Sequence, residues 1–164
     1  MHAQASVADP GPGFPESWTI SYGPPSTLRG LARELTHARC HMDPRSEWIL
    51  KRLELHDGLN AKEVTLERIT PRMLGYEKAC IRDAVIAKFA ENGYRSVDPE
   101  TAYRLRALFG DQPIGTQMRI IAARSLATVD YILINRCGQL WIEAIDQTRR
   151  QFLAPDDDLI VAKR

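Results

Sequence analysis

The spacing of apolar residues predicts that the first part of the chain is helical. Between residues 26 and 39 the apolar positions recur three and four residues apart, as on one face of a helix: Leu28, Leu31, Ala32 and Leu35. A second helix is expected from Pro44 to about Leu55. Asp43 can cap this helix, and proline fits its first helical position.

The same spacing predicts two further helices in the middle of the chain. One covers residues 77–91 and ends at Asn92-Gly93, and the other covers residues 98–109 and ends at Gly110. Residues 64–69 could form a short strand. Residues 18–22 alternate between apolar and polar side chains, so they could be either a short strand or a hydrophobic anchor.

The last third of the chain changes to the composition of strands. The β-rich segments are residues 118–123, 129–135, 139–145 and 159–162. Between the second and the third, Asn135-Arg136-Cys137-Gly138 has the turn residues of a hairpin. We therefore expect an α+β fold in which N-terminal helices are followed by a C-terminal antiparallel sheet of about four strands, with helices on one face.

The alternation within residues 140–145 assigns side chains to the two faces of this sheet. Leu140, Ile142 and Ala144 share one face, and Trp141 shares the other with Glu143 and Ile145. If the first face packs on the helices, Trp141 stands on the outer face. Alternatively Trp141 is a core residue, covered by the N-terminal tail or by the helix near Trp48.

Length and composition are those of one globular domain. The chain has 164 residues, of which 44% are hydrophobic and 26% charged. Residues 1–16 contain three prolines and two glycines with little apolar content, so we expect a disordered tail there and a single domain over residues 17–164. No apolar run approaches the roughly 20 residues that span a bilayer, so a membrane partner is not expected.

The charged residues and the cysteines bear on the class of partner and on the cellular compartment. The net charge of +1 does not require a polyanionic partner. Arginine outnumbers lysine 17 to 5, which reflects either genomic base composition or an arginine-rich contact surface. Three widely spaced cysteines, with no secretory signal visible, favour a reducing compartment and a cytoplasmic location: Cys40, Cys80 and Cys137.

The order of several short motifs resembles a family of uncharacterised bacterial proteins from about residue 64 onward. The motifs are Thr70-Pro71, Leu74-Gly75-Tyr76, Pro99-Glu100, Leu105-Arg106, Asp111-Gln112-Pro113 with Gly115, Ile120-Ile121-Ala122, Gly138-Gln139-Leu140-Trp141-Ile142 and Lys163-Arg164. Thr116-Gln117 stands where the family has Glu-Trp, and Asp98 stands where it has Cys. The resemblance implies a helix after Pro-Glu and a hairpin at Gly-x-Leu-Trp, with no known activity.

A remote likeness to chorismate lyases comes from the turn Gln112-Pro113-Ile114-Gly115. Those enzymes need an arginine on an early strand, for which Arg68 could serve, and a glutamate on the last strand. Residues 158–162 contain no glutamate. A small enzyme or ligand-binding fold is therefore an alternative only.

Other combinations of reactive residues have simpler explanations. The stretch with His37, Cys40, His41 and Asp43 lacks a second Cys/His pair for a closed zinc site. His56-Asp57 has no nucleophile in a recognisable motif, and Asp156-Asp157-Asp158 lacks the spacing of a calcium loop. No phosphate-binding glycine loop is present. We therefore predict no catalytic residues, no metal and no cofactor, and favour a protein that is not an enzyme.

Arginines and aromatic residues accumulate in the C-terminal half. The residues expected at an interface are Trp141, Arg136, Tyr131, Arg119, Arg104 and Arg106. Exposed tryptophan beside arginine is typical of interface hot spots. We therefore expect a non-catalytic protein-binding or regulatory module that docks another protein, or a second copy of itself, through the sheet face. Nucleic-acid binding is the alternative, not favoured because acidic residues share the region.

Overall fold

The computed structural model describes residues 15–23, 26–123, 128–147 and 151–164. The tail predicted for residues 1–16 therefore lies outside the described residues up to residue 14. Glu16, at the end of that predicted tail, accepts a hydrogen bond from the backbone N–H of Arg68 at 2.8 Å through its carbonyl. Of the described helices, none is both long enough and apolar enough to cross a membrane.

The first elements are a strand, two helices and a short strand between them. They are β1 (Ser17–Tyr22), α1 (Leu28–His37), β2 (His41–Met42) and α2 (Pro44–Leu50). Side-chain caps start both helices, since the N–H of Gly30 donates to Thr27 and the N–H of Ser46 donates to Asp43. The predicted helices are thus present, and α2 is shorter than the sequence indicates.

The middle of the chain alternates between strands and helices. It comprises β3 (Lys62–Ile69), a 3-10 helix (Pro71–Leu74), β4 (Cys80–Ile81), α3 (Arg82–Ala87), a second 3-10 helix (Ala90–Asn92), β5 (Tyr94–Arg95) and α4 (Pro99–Leu108). The helix predicted over residues 77–91 is therefore much shorter. Its first residues pair as β4 with a strand more than 70 residues later, which no local pattern could show.

The C-terminal part consists of strands. They are β6 (Gln117–Ile120), β7 (Val129–Arg136), β8 (Gln139–Asp146), β9 (Phe152–Leu153) and β10 (Leu159–Lys163). The predicted hairpin joins β7 to β8. Cys137 and Gly138 both have positive φ, 52° and 87°. A two-residue hairpin loop of type I′ requires positive φ at both positions, and its twist matches that of the flanking strands.

The predicted fold class was wrong in its sheet. The main sheet has eight strands in the order β1-β3-β10-β6-β7-β8-β2, with β5 paired to β10. It is mixed, because β10 runs parallel to β6 and β2 runs parallel to β8. Strands also begin before the first helix, since β1 pairs with β3 along six residues. The sequence pattern failed because strand pairing depends on distant segments, whereas periodicity reports only local conformation.

The prediction that helices cover only one face of the sheet was also wrong, because helices cover part of both faces. Helices α1, α2 and α4 pack on one face, here called the helix face, with core residues such as Leu31, Leu66, Leu105, Leu133 and Ile142. On the opposite face, here called the outer face, α3 and the first 3-10 helix cover another cluster: Ile69, Leu74, Val85, Phe89, Ile121, Leu153, Leu159 and Val161. Strand β10 lies under both and is buried on both sides.

Candidate interaction surface

Alternate residues of β6, β7 and β8 belong to the outer face. Ile142 and Ala144 pack in the cluster of the helix face, so the residues between them on β8 lie on the opposite side. The antiparallel register carries this assignment to β7 and β6. The outer-face residues are Gln117 and Arg119 on β6, Asp130, Ile132, Ile134 and Arg136 on β7, and Gln139, Trp141, Glu143 and Ile145 on β8.

The six residues predicted to form an interface do not come together. Tyr131, Arg104 and Arg106 are buried on the helix side of the sheet. Trp141, Arg136 and Arg119 lie on the outer face. Sequence proximity therefore grouped residues that the pleat of the strands and the burial of α4 separate.

Tyr131 and Arg104 are held by internal partners. The ring of Tyr131 lies 5.3 Å from that of Tyr103, edge to face, and burial raises the pKa of both phenols. Arg104 donates to both carboxylate oxygens of Glu34 and to Oε1 of Glu100. Its guanidinium also lies 4.7 Å from the ring centre of Tyr22. These contacts join α1, α4 and β1 and leave neither residue at the surface.

Arg106 is the most deeply buried charge of the helix side. Its guanidinium donates to the carbonyls of Phe109 and Trp141 and to the side-chain oxygen of Gln112. All three acceptors are neutral, and burial lowers the pKa of Arg106 to about 10. Arg106 therefore fixes the end of α4 against β8 and the following loop, which is a structural role.

Trp141 lies on the outer face between a histidine and an arginine side chain. His41 on β2 is its partner in the parallel register and stacks on it, with ring centres 5.0 Å apart and planes 24° apart. On the other side, the guanidinium carbon of Arg136 lies 5.5 Å from the ring centre. Arg136 also binds Glu143 at 2.5 Å. The indole is thus held in one orientation while remaining partly exposed.

Three isoleucines share the outer face with Trp141 and belong to neither core cluster. Ile134 pairs directly with Trp141 in the register and is largely buried, while Ile132 and Ile145 are partly exposed. None of these four residues belongs to the helix-face or the outer-face cluster. The indole N–H of Trp141 is buried and has no hydrogen-bond acceptor among the described residues. We call the group Ile132, Ile134, Trp141 and Ile145 the tryptophan patch.

A buried ionic cluster borders the tryptophan patch, and the sequence did not indicate it. Asp130 is fully buried on the outer face and accepts hydrogen bonds from Arg82, Arg119, Gln147 and the backbone N–H of Ala122. The one available signal was an aspartate inside the apolar strand β7, a position that demands a buried partner. Its partner Arg82 lies 48 residues away at the start of α3, so the sequence could not name it.

Several residues of the candidate metal and catalytic groups considered in the sequence analysis make structural contacts instead. Asp43 caps α2 and accepts from the backbone N–H of Ala144, while His41 stacks on Trp141. Asp156 pairs with Arg72, which lowers the pKa of that carboxyl through hydrogen bonding. Within the described ranges, no three His, Cys, Asp or Glu side chains are grouped as metal ligands would be. Arg124, Arg149 and Arg150 lie outside those ranges.

Comparison of the chain with models of protein families, with curated proteins and with solved structures found no match. The resemblance of residues 64–164 to a bacterial family therefore stays a prediction. The fold and the contacts described above define an α+β protein with a mixed sheet. Function has to be inferred from the outer face itself.

Proposed function

We propose that this protein is a non-catalytic binding module that docks a partner protein on the tryptophan patch. The observation that carries the proposal is the position of Trp141, partly exposed on the outer face and fixed between His41 and Arg136. Tryptophan and arginine are the residue types that most often dominate binding energy at protein interfaces. A side chain already held in place loses little conformational entropy when a partner binds.

The surroundings of Trp141 favour a protein partner. Ile132 and Ile145 present partly exposed apolar surface on the same face as the indole. The Arg136–Glu143 ion pair lies among these apolar residues, because Glu143 is opposite Ile132. Aromatic residues and arginine are enriched at protein interfaces. Arg136 and His41 flank the indole with donor groups, so the partner segment that fits best has an apolar side chain next to an acidic one.

A nucleic acid is the second candidate occupant of this face. Bases stack on tryptophan, and Arg119 and Arg136 could contact phosphates. Against it, Glu143 lies on the same face and the net charge is only +1. Nucleic-acid binding predicts an affinity that falls steeply with added salt. Binding of that kind, lost on Trp141→Ala, would replace the protein partner in the proposal.

Site-directed photo-crosslinking tests the proposal on the intact protein. A photoreactive amino acid in place of Gln139, an exposed position of the outer face, is expected to cross-link a partner in host extract. Leu59 is 94% exposed elsewhere on the chain and provides the control position. Adding Trp141→Ala to the Gln139 probe should abolish the cross-link. Trp48→Ala, a change at a tryptophan that is 47% exposed on α2, should leave it intact.

Three outcomes would overturn the proposal. The first is a cross-link that forms equally from position 59, and the second is one that survives Trp141→Ala in a variant with unchanged circular dichroism. The third is the absence of any cross-linked species, with the wild-type chain monomeric by sedimentation. If the cross-linked partner is a second copy of the chain, the patch is a self-association surface, which the proposal includes.

A further inference from the structure

The ionic cluster on the outer face contains more positive than negative charge. Asp130 is fully buried, and the side chains of Arg82 and Arg119 are only 8% and 12% exposed. Both guanidinium groups bind this one carboxylate, at 2.6 Å and 2.7 Å. The nearest further acid to Arg82 is Asp83 at 3.8 Å, and that side chain is 80% exposed. One positive charge of the cluster therefore has no buried counterpart among the described residues.

Asp130 cannot supply the missing interactions, because its acceptor capacity is used. Oδ1 accepts from Arg82, the backbone N–H of Ala122 and Gln147. Oδ2 accepts from Arg82 and twice from Arg119. A carboxylate offers about four lone-pair sites, so these hydrogen bonds saturate it. The carboxylate thus holds both guanidinium groups in fixed orientations.

Both arginines keep N–H groups that this arrangement does not use. A guanidinium has five N–H donors. Those of Arg119 make two hydrogen bonds, both to Asp130, and Nη1 of Arg119 has no hydrogen-bond partner among the described residues. Nη1 of Arg82 has only the long contact to Asp83. Neither arginine has a nitrogen among the described buried atoms that lack partners, and the two side chains are 8% and 12% exposed.

We propose that Arg82 and Arg119, oriented by Asp130, form a binding site for the oxyanion group of a small molecule, a carboxylate or a phosphate. Planar guanidinium groups match such oxyanions in a bidentate geometry, and a fixed donor pair loses little entropy on binding. Partial burial strengthens the interaction, because the local dielectric is lower than that of water. Among the buried groups, two guanidinium charges face one carboxylate, which favours an anion; the exposed Asp83, 3.8 Å from Arg82, opposes it.

This site adjoins the tryptophan patch but does not include Trp141, and it does not depend on the proposed function. In the register, Arg119 of β6 lies opposite Ile132 of β7, which lies opposite Glu143 of β8. Ile132 belongs to the patch, so one strand spacing, about 5 Å, separates Arg119 from it, whereas two strand spacings, about 10 Å, separate Arg119 from the strand that carries Trp141. Loss of partner binding and loss of anion binding can therefore be measured independently, with Trp141→Ala affecting the first only.

Nuclear magnetic resonance of the arginine side chains tests the site in the folded wild-type chain. The Nε–Hε signals are followed during titration with inorganic phosphate and, separately, with acetate, at constant ionic strength set by chloride. We expect saturable shifts for Arg82 and Arg119 in the millimolar range. Arg136, which is exposed and pairs with Glu143, should shift little and provides the internal control. The anion that saturates identifies the chemistry, carboxylate, phosphate or both.

Arg119→Lys keeps the charge and removes the planar donor pair, so it should weaken anion binding by at least about tenfold. Arg136→Lys is the matched control and should leave the affinity unchanged. Should Arg119→Lys fail to fold, the wild-type titration decides alone. The proposal is overturned if neither anion gives a saturable shift, or if Arg136 shifts as much as Arg119, since screening of surface charge then explains the result.

Discussion

The two faces of the central sheet use the same residue types in different ways. On the helix face, Tyr131 and Arg106 are buried, and their contacts with the described residues are all inside the fold. On the outer face, Trp141 and Arg119 keep some surface toward solvent. Ile132 and Leu133 show the contrast within one strand, since Leu133 is fully buried and its neighbour is partly exposed.

The difference teaches that residue type alone does not identify a working surface. Arg106 and Arg119 are both nearly buried arginines, yet Arg106 is surrounded by neutral acceptors and Arg119 shares a carboxylate with a second arginine. The first arrangement directs the guanidinium into the fold, where its Nε is buried without an acceptor among the described residues. The second arrangement leaves N–H donors unused and one positive charge without a buried counterpart among the described residues. Partners and geometry, rather than composition, separate structural arginines from those available for binding.

The largest expected effect comes from removing the carboxylate of the outer face. Asp130→Asn leaves two guanidinium groups without a counter-charge in a partly desolvated position. We expect the free energy of unfolding to fall by about 3–5 kcal/mol. Urea denaturation followed by circular dichroism measures it. A loss below about 1 kcal/mol, the value typical of exposed ion pairs, would mean that the cluster is solvated.

A matched pair of alanine substitutions compares the two faces within β7. Leu133→Ala opens a cavity in the helix-face core and should cost about 2–5 kcal/mol. Ile132→Ala removes a side chain of similar volume from the partly open outer face and should cost less than half as much. Equal losses in urea denaturation would show that the outer face is as tightly packed as the helix face and would contradict a free tryptophan patch.

Tyr103 allows the helix face to be tested by pH. Its hydroxyl donates to the carbonyl of Ser46 at 2.6 Å, so Tyr103→Phe should cost about 1–3 kcal/mol at neutral pH. Burial, reinforced by the neighbouring Tyr131, raises the pKa of Tyr103 in the folded state above its unfolded value of about 10.

The sign of the pH dependence follows from that shift. Above about pH 10 the unfolded chain releases the phenolic proton and the folded chain keeps it, so stability is present below pH 10 and is lost as pH rises. Thermal unfolding between neutral pH and about pH 11 should show this decline. Tyr103→Phe should flatten it, and an unchanged slope would mean that Tyr103 ionises in the folded protein as freely as in the unfolded chain.

The smallest expected effect concerns the ion pair on the tryptophan patch. Glu143→Gln removes the negative charge that pairs with Arg136, and Arg136 is exposed, so the free energy of unfolding should change by less than about 1 kcal/mol. Released from Glu143, Arg136 should bind an acidic partner segment at least as well as before. Cross-linking from position 139 that is weaker in this variant would indicate that Glu143 itself contacts the partner.

The parts of the fold that the sequence predicted are those determined by neighbouring residues. The cap and proline at Asp43-Pro44 located the start of α2, and the glycine turn at Gly138 located the β7–β8 hairpin. The alternation in β8 placed Ile142 and Ala144 on one face, which in the structure is the helix face. Each of these signals acts over a few residues and needs no information about distant segments.

The parts that escaped prediction depend on contacts far apart in the chain. The pairing of β1 with β3 and the parallel pairing of β10 with β6 leave no local trace, so the sheet was expected to be half its size. The same reason hid Arg82 as the partner of Asp130. Arg104 and Arg106, two of the three predicted interface residues that are buried, lie on α4. Their guanidinium groups pair with distant segments of the chain, so the local pattern did not show that they are buried.

The central place of β10 has a consequence for how the protein is made. Strands β3 and β6 are synthesised long before residues 159–163, yet both flank β10 in the finished sheet. A nascent chain on the ribosome can therefore form the β7–β8 hairpin before residues 159–163 are made, while β3 and β6 each keep one edge unpaired. The main sheet becomes continuous only when β10 pairs between β3 and β6, so folding is completed after this segment has been translated.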